Sequence, residues 1–277
     1  MFLFFIKSKI MIDHIITNTT GLTIKIVSIA IFISSFEYIY LLYRLKQYSF
    51  VSQETISLSS KLYSNNRLKF IFKDSVFVVL QAIKILSTVV LFVLPPHGAL
   101  WSLVLVVLFI TCLLSNYRDS IGREGSDQMQ LIILMALFLT SQFWSSELLR
   151  LIGLIFIAIQ SSISYSVAGI SKLFSKYWRN GSAFFSIMNT VSYGDQRLAK
   201  LYHRRKYLGL ITCWIVIVFE CLFPLVFFLP ERFMFVFLGT ALIFHLANAF
   251  IMGLNNFTWT FLATYPSIVL TNHLLMN

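Results

Sequence analysis

A short set of ionisable and polar side chains embedded in apolar sequence is where chemistry could reside in this chain. It comprises Glu37, Lys84, Lys172, Glu220 and His245, with Ser161, Tyr165, Asn248 and Trp178 as polar lining. A charged side chain at the centre of a bilayer costs roughly 2.5–3.5 kcal/mol on insertion scales, so each is a functional candidate until a structural partner is found. Ser161, Tyr165, Ala168 and Lys172 are spaced i, i+4, i+7 and i+11 and share one helix face. Two readings of that stripe stand. Either the serines bond neighbouring helices while Lys172 snorkels to the headgroups, or a desolvated Lys172 amine serves as a general base. Glu220 and His245 could meet as a proton relay or as two buried groups that satisfy each other, and Asn248 shares the His245 face. Glu37 and Lys84 sit at depths about 6 Å apart at 1.5 Å rise per residue, within reach of a lysine stem. A structural ion pair is the plain reading of those two.

Other chemistries lack their patterns. No second histidine stands four residues from the first, as a helical zinc protease site requires, and one His with one Glu does not make a metal site. Residues 122–128 (GREGSDQ) are glycine-containing but are not a phosphate loop, and no G-x-S-x-G nucleophile elbow occurs. Asp127 and Gln130 instead read as a helix N-cap with a reciprocal side-chain contact, an acidic variant of the capping box. Cys112, Cys213 and Cys221 all lie inside apolar runs without a C-x-x-C, which points to small inert hydrophobes.

The elements that must position these residues follow from hydropathy. Of 277 residues, 58% are hydrophobic and 12% charged, and the mean hydropathy is +0.80. Ordinary globular domains are about 45–50% apolar and about 25% charged. With about 20 apolar residues per crossing, the apolar content fills roughly eight spans. The expected fold is an all-α polytopic membrane helix bundle of about eight spans (six to nine), with short interfacial helices. The spans read as 22–42, 75–94, 99–115, 129–145, 148–170, 208–229, 233–251 and 257–275, the last interrupted by Pro266. Pro95-Pro96-His97-Gly98 marks a tight reversal between the second and third. No repeat or linker divides the chain, so residues 1–277 are expected to form one domain, with 1–20 peripheral. Met1–Ile16 is interrupted by Lys7, Lys9 and Asp13 and is followed by no small-residue cleavage site, which argues against a cleavable signal.

The net charge of +11 does not indicate nucleic acid, because the basic residues gather in two loops between apolar runs. With eight spans, the loops at 43–74, 116–128, 171–207 and 252–256 share one side and carry 6, 2, 8 and 0 Lys/Arg, against three on the other side. Cytoplasmic loops are enriched in Lys and Arg, so 43–74 and 171–207 are expected in the cytoplasm and both termini outside. In the second loop, Leu173, Phe174, Tyr177, Trp178, Phe184, Phe185 and Met188 alternate with cations, and in the first Leu58, Leu62, Leu68 and Phe70 do so. Short helices lying on the membrane fit that pattern.

Several segments resemble one known family. Tyr165–Leu173 (YSVAGISKL), followed by Trp178 and Gly181–Ala183 (GSA), resembles the Y-x-x-x-G-x-x-K-L…W…G-x-A core of the HTTM (horizontally transferred transmembrane) domain. This is the membrane domain of vitamin K-dependent gamma-carboxylases and of bacterial relatives such as sporulation-delaying-protein-B-like proteins. Glu220–Pro224 (ECLFP) resembles its E-x-x-x-P helix, with Arg232 where an arginine often follows. His245–Phe257 (HLANAFIMGLNNF) resembles its H-x7-G-L-x-x-F segment, and Gly125–Gln128 is similar to a segment before its fourth helix. The resemblance implies that Lys172 occupies the position of the carboxylase base, with vitamin K hydroquinone or another quinone as cofactor. Two departures bear on activity: Ser171-Lys172 stands where carboxylases commonly have two lysines, and the large soluble domain of carboxylases is not among these residues.

Three functions follow as expectations. The first is an HTTM-type membrane protein that assists maturation or export of a secreted peptide or envelope product. The second is a quinone-linked oxidoreductase or carboxylase using Lys172, with Glu220 and His245 handling protons. The third is a transporter or toxin-immunity protein with a polar path through Glu37, Lys84, Glu220 and His245. The expected partners are the cell-membrane bilayer and a secreted peptide or its precursor.

Overall fold

The computed structural model describes residues 2–45, 69–118, 124–141 and 146–276. Most of the first basic loop, including Leu58, Leu62 and Leu68, lies outside the described residues, as does Gly122. The described residues form helices α1 (Phe2–Leu45), α2 (Asp74–Val93), α3 (Ala99–Arg118), α4 (Gly125–Ser141), α5 (Glu147–Phe174) and α6 (Lys176–Arg179). These are followed by α7 (Ser182–Met188), α8 (Gln196–Arg204), α9 (Lys206–Leu222), α10 (Glu231–Met252), α11 (Asn255–Leu262) and α12 (Tyr265–Met276). Single 3-10 turns occur at Lys69–Phe72 and Phe223–Phe227. Among the described residues, six helical segments are long and apolar enough to cross a membrane: Met11–Arg44, α2, α3, α5, Lys206–Phe227 and α10. This is an all-α, multi-pass membrane protein.

The chain divides into two compact units, residues 1–157 with 259–266, and residues 158–258 with 267–277. In the first, α1 packs on α2, α2 on α3, α3 on α4, and α4 returns to α1. Its core combines aliphatic side chains, among them Val27, Ile31, Leu91, Leu105 and Ile133, with the buried rings of Phe72, Phe77 and Trp101. The reversal sits at Pro95-Pro96: Leu94 before it is extended (φ −68°, ψ 144°), the conformation that a following proline imposes. Some buried hydroxyls bond within their own helices: Thr20 donates to Ile16 O at 2.9 Å and Thr111 to Val107 O at 2.8 Å.

Two of the eight expected crossings come out differently. The fourth, α4, has 17 residues and spans about 26 Å at 1.5 Å rise, the lower limit for a crossing helix. At its start Asn116 Nδ2, near the end of α3, donates to Asp127 O at 3.4 Å, and near its end Thr140 fits against Gly153 of α5. The eighth is not one span: it breaks after Leu262 into α11 and α12, and Pro266 stands in the first turn of α12, where its missing N–H leaves no bond unmade.

The cap expected at Asp127 is also displaced. The helix begins at Gly125, and Asp127 in its first turn reaches back to accept the Glu124 N–H at 3.1 Å. This is the reciprocal half of a capping box, with the cap two to three residues earlier than expected. Gln130 turns elsewhere and donates to Thr260 Oγ1 at 3.0 Å.

In the second unit the basic loop folds into α6, α7 and α8, all packed against α9. Gly181, at φ +79°, turns the chain between α6 and α7; a Cβ there would lie 2.5 Å from Leu210 N, so a side chain is excluded on both grounds. Trp214 Nε1 donates to Arg179 O at 3.2 Å, and Tyr202 and Thr212 share a hydroxyl contact at 3.1 Å. Asp195 caps α8 by accepting from Arg197 N (2.7 Å) and Leu198 N (3.0 Å), and these donors hold its carboxyl below the ordinary carboxylate range.

Pro224 cannot donate to Glu220 O, so α9 tightens after Glu220 and continues as the 3-10 turn. The carbonyls beyond the break are taken up by one side chain: Asn272 Nδ2 of α12 approaches Val226 O, Phe227 O and Leu229 O at 2.9, 3.2 and 2.8 Å. Asn272 is 3% exposed, so water cannot replace it. Asn272→Leu is expected to destabilise the protein by about 1–3 kcal/mol, the penalty for orphaned buried acceptors. Thermal unfolding in detergent measures it, and a midpoint equal to wild type would remove Asn272 from this role.

Candidate functional site

The polar stripe of α5 faces inward. Ser161 and Tyr165 are buried, Gly169 is buried, and Lys172 at the membrane-boundary end keeps 21% of its side chain exposed. Gly169 is what lets α9 approach. A Cβ added there would lie 2.7 Å from Cys221 N and 2.9 Å from Glu220 Cβ, so the two helices meet backbone to backbone. One turn beyond that crossing, Lys172 Nζ donates to both oxygens of Glu220, at 2.9 and 2.6 Å. The Trp178 ring covers the ammonium, with Nζ 5.1 Å from the ring centroid. Glu220 is 4% exposed, and the charge-assisted bonds from Lys172 are what make a carboxylate tolerable there.

The second polar pair lies two turns earlier on α5. Tyr165 OH and His245 Nε2 are 2.6 Å apart, and both side chains are buried. Either atom can carry the shared proton: a phenol donating to Nε2, or Nε2–H donating to the phenol oxygen. Aromatic rings enclose the pair. Phe223 stacks on Tyr165 at 3.8 Å and 19°, Phe219 meets Tyr165 edge-on at 6.1 Å, and Phe257 stacks on His245 at 6.3 Å. Thr258 Oγ1 donates to the His245 carbonyl at 3.1 Å, tying α11 to the histidine's backbone.

The expected contact between Glu220 and His245 is therefore not the one that forms. Each goes to a residue of α5 instead, Glu220 to Lys172 and His245 to Tyr165. The 3-10 turn at Phe223–Phe227 is the local reason, because it brings Phe223 against Tyr165 beside the histidine. Asn248 enters through its main chain: its carbonyl accepts from Gly253 and Leu254 where α10 ends.

In the first unit the expected Glu37–Lys84 pair is also replaced. Glu37 stands on the outer surface of α1, whereas Lys84 is 5% exposed and donates to Gln81 Oε1 at 2.9 Å. Gln81 in turn donates to Ser115 Oγ at 3.3 Å, and the Tyr38 ring lies 5.9 Å from the ammonium. The expectation matched depth along the span; depth does not say which way a helix is turned. Two buried arginines went unnoticed in the sequence. Arg118 is held by Asp74 Oδ1 at 2.5 Å, by Phe72 O at 3.3 Å and by the Phe77 ring at 4.0 Å. Arg150 is bonded to Asp13 and to Thr17 Oγ1. Both arginines and Asp74 stand at helix ends, and Asp13 lies near the start of the apolar part of α1, so an opposite charge at the end of another span was the available signal.

Among the described residues no group of three His, Cys, Asp or Glu side chains could hold a metal ion. The second unit thus holds a paired amine and carboxylate partly open to the membrane boundary, and a phenol–imidazole pair sealed in aromatics. The first can bind or orient a charged group, and the second shares one proton in a hydrogen bond between two neutral rings. No family model matches the chain, and neither a curated protein nor a solved structure is similar enough to count as a match.

Proposed function

We propose that this multi-pass membrane protein is of the HTTM type and assists the maturation or export of a secreted peptide or other envelope product. The observation that carries the reading is the pair of hydrogen bonds from Lys172 to Glu220, which joins the lysine core to the E-x-x-x-P helix. Tyr165 meeting His245 joins that core to the third segment of the resemblance. An amine already engaged by both oxygens of one carboxylate is held in place by that contact, which favours a structural or orienting part over proton abstraction. In this reading the protein resides in the cell membrane with loops 43–74 and 171–207 cytoplasmic. The Lys/Arg count supports this, as does the course of α4 from the end of α3 to the start of α5.

A second reading, a quinone-linked carboxylase or oxidoreductase using Lys172 with Glu220 and His245 handling protons, draws support from the 21% of the Lys172 side chain that stays accessible to a reactant. One experiment separates the two. In the producing cell, deletion is expected to lower the yield of mature secreted peptide at least about tenfold with its precursor still transcribed, and normal yield would end the assisting role. Complementation with Lys172→Met/Glu220→Leu, which keeps volume and removes both charges, restores yield if the pair is structural and fails to if the amine is catalytic.

A further inference from the structure

Where α1 passes α2 near the Pro95–Gly98 turn, small residues face each other between large ones. Ser28 and Thr88 lie at the contact, with Phe32 and Phe92 on either side, and the shortfall in volume leaves a cleft of about 240 Å³. Ile29, Val89 and Val93 complete its walls, and the surface turned to the cleft is apolar, the Ser28 and Thr88 hydroxyls being turned away from it. Thr88 turns its hydroxyl onto Ile85 O at 2.8 Å, so its polar atom is occupied within its own helix. An apolar cavity of about 150 Å³ stays dry and accepts a hydrocarbon, and this cleft is larger. It is also open to the outside of the bundle, where Val89, Phe92 and Val93 are exposed. In a bilayer, acyl chains are what lies against that face.

The mouth of the cleft carries a charge. Lys25 is exposed, and its Nζ lies 5.8 Å from the centre of the Phe92 ring, on the side of the turn. Gly21, one turn before Lys25, comes against Pro96, so Lys25 stands within about 6 Å of the level where the helical hairpin ends. This is the depth at which a lysine stem lies along apolar surface and its ammonium reaches the headgroups. None of the ion pairs of the described residues includes Lys25. A cation without a carboxylate partner at headgroup level, directly above an acyl-sized apolar cleft, has the two features of a phospholipid in the right order along the membrane normal.

We propose that this cleft is a binding site for one anionic glycerophospholipid, with an acyl chain between Ser28 and Thr88 and the phosphate on Lys25. The cation selects for net negative headgroups, and the cleft holds the chain in one place and so distinguishes a bound lipid from the bulk bilayer. The site lies wholly in the first unit and is independent of the Lys172–Glu220 pair.

The test reconstitutes the full chain in vesicles of equal phosphatidylglycerol and phosphatidylcholine, extracts it in mild detergent and counts retained lipids by native mass spectrometry. Wild type is expected to keep one phosphatidylglycerol in preference to phosphatidylcholine. Lys25→Gln, at an exposed position where folding is not at stake, should lower that retention about fivefold, as expected for one lysine at an anionic surface. Thr88→Leu, which fills the cleft, should lower it as well. Equal retention of the two lipids, or undiminished phosphatidylglycerol on Lys25→Gln, overturns the proposal. Loss with Lys25→Gln but not with Thr88→Leu overturns the cleft as the acyl site.

Discussion

Replacing Glu220 by Leu is expected to destabilise the protein by about 2–3 kcal/mol, while adding Lys172→Met to it should recover most of that loss. Glu220→Leu leaves the Lys172 ammonium without its carboxylate beside a helix that is otherwise apolar. Removing one partner of a fully buried pair costs roughly 3–5 kcal/mol, whereas replacing both by apolar groups of similar size is often neutral. The lower figure applies here because Lys172 keeps 21% exposure and its stem can swing toward the membrane boundary. Lys172→Met alone should be the more damaging single change, since the Glu220 side chain is 5% exposed and too short to reach water. Unfolding midpoints of the four proteins in one detergent complete the cycle. If the double variant is no more stable than Glu220→Leu, the two charges do not form a unit.

Gly169→Ala is expected to be equally disruptive, by about 1–3 kcal/mol, although it adds a single methyl group. That methyl would lie 2.7 Å from the Cys221 backbone nitrogen and 2.9 Å from both Cys221 Sγ and Glu220 Cβ. A flexible side chain could turn away from such a contact; the backbone of α9 cannot, so α5 and α9 must separate. Separation also lengthens the Lys172–Glu220 bonds. Gly239→Ala in α10 is the control, because nothing lies within 4 Å of the methyl it would add. There the substitution should be neutral or stabilise by about 0.4–1 kcal/mol through the unfolded state. Thermal unfolding of the two alanine variants decides the matter, and equal midpoints would mean that the crossing at Gly169 is not close.

Much of this architecture is legible along the chain. The run from Asp74 to Val93 reads as a crossing because its residues are apolar, and its end is legible because Pro95 forces Leu94 out of the helix. The inward stripe of α5 is legible too, since Ser161, Tyr165 and Lys172 recur at helical spacing. Legibility fails where a residue's role depends on an element far away. Asn272 looks like a stray polar residue near the end of the last apolar run until the carbonyls freed by Pro224 are found against it. Lys84 suggested Glu37 by depth, yet the rotation of α1 puts Glu37 on the outer surface and leaves Gln81, one turn away on α2, to take the ammonium.

Composition, hydropathy and turn chemistry are properties of neighbouring residues, and they suffice for the all-α class, for most of the spans and for the candidates that sit in them. Partner choice is a property of rotation and crossing distance between helices, which side chains remote in the chain set together. For that reason His245 meets Tyr165 and Glu220 meets Lys172. A glycine at position 169 allowed the approach of α9, and the break at Pro224 turned Phe223 onto the tyrosine ring.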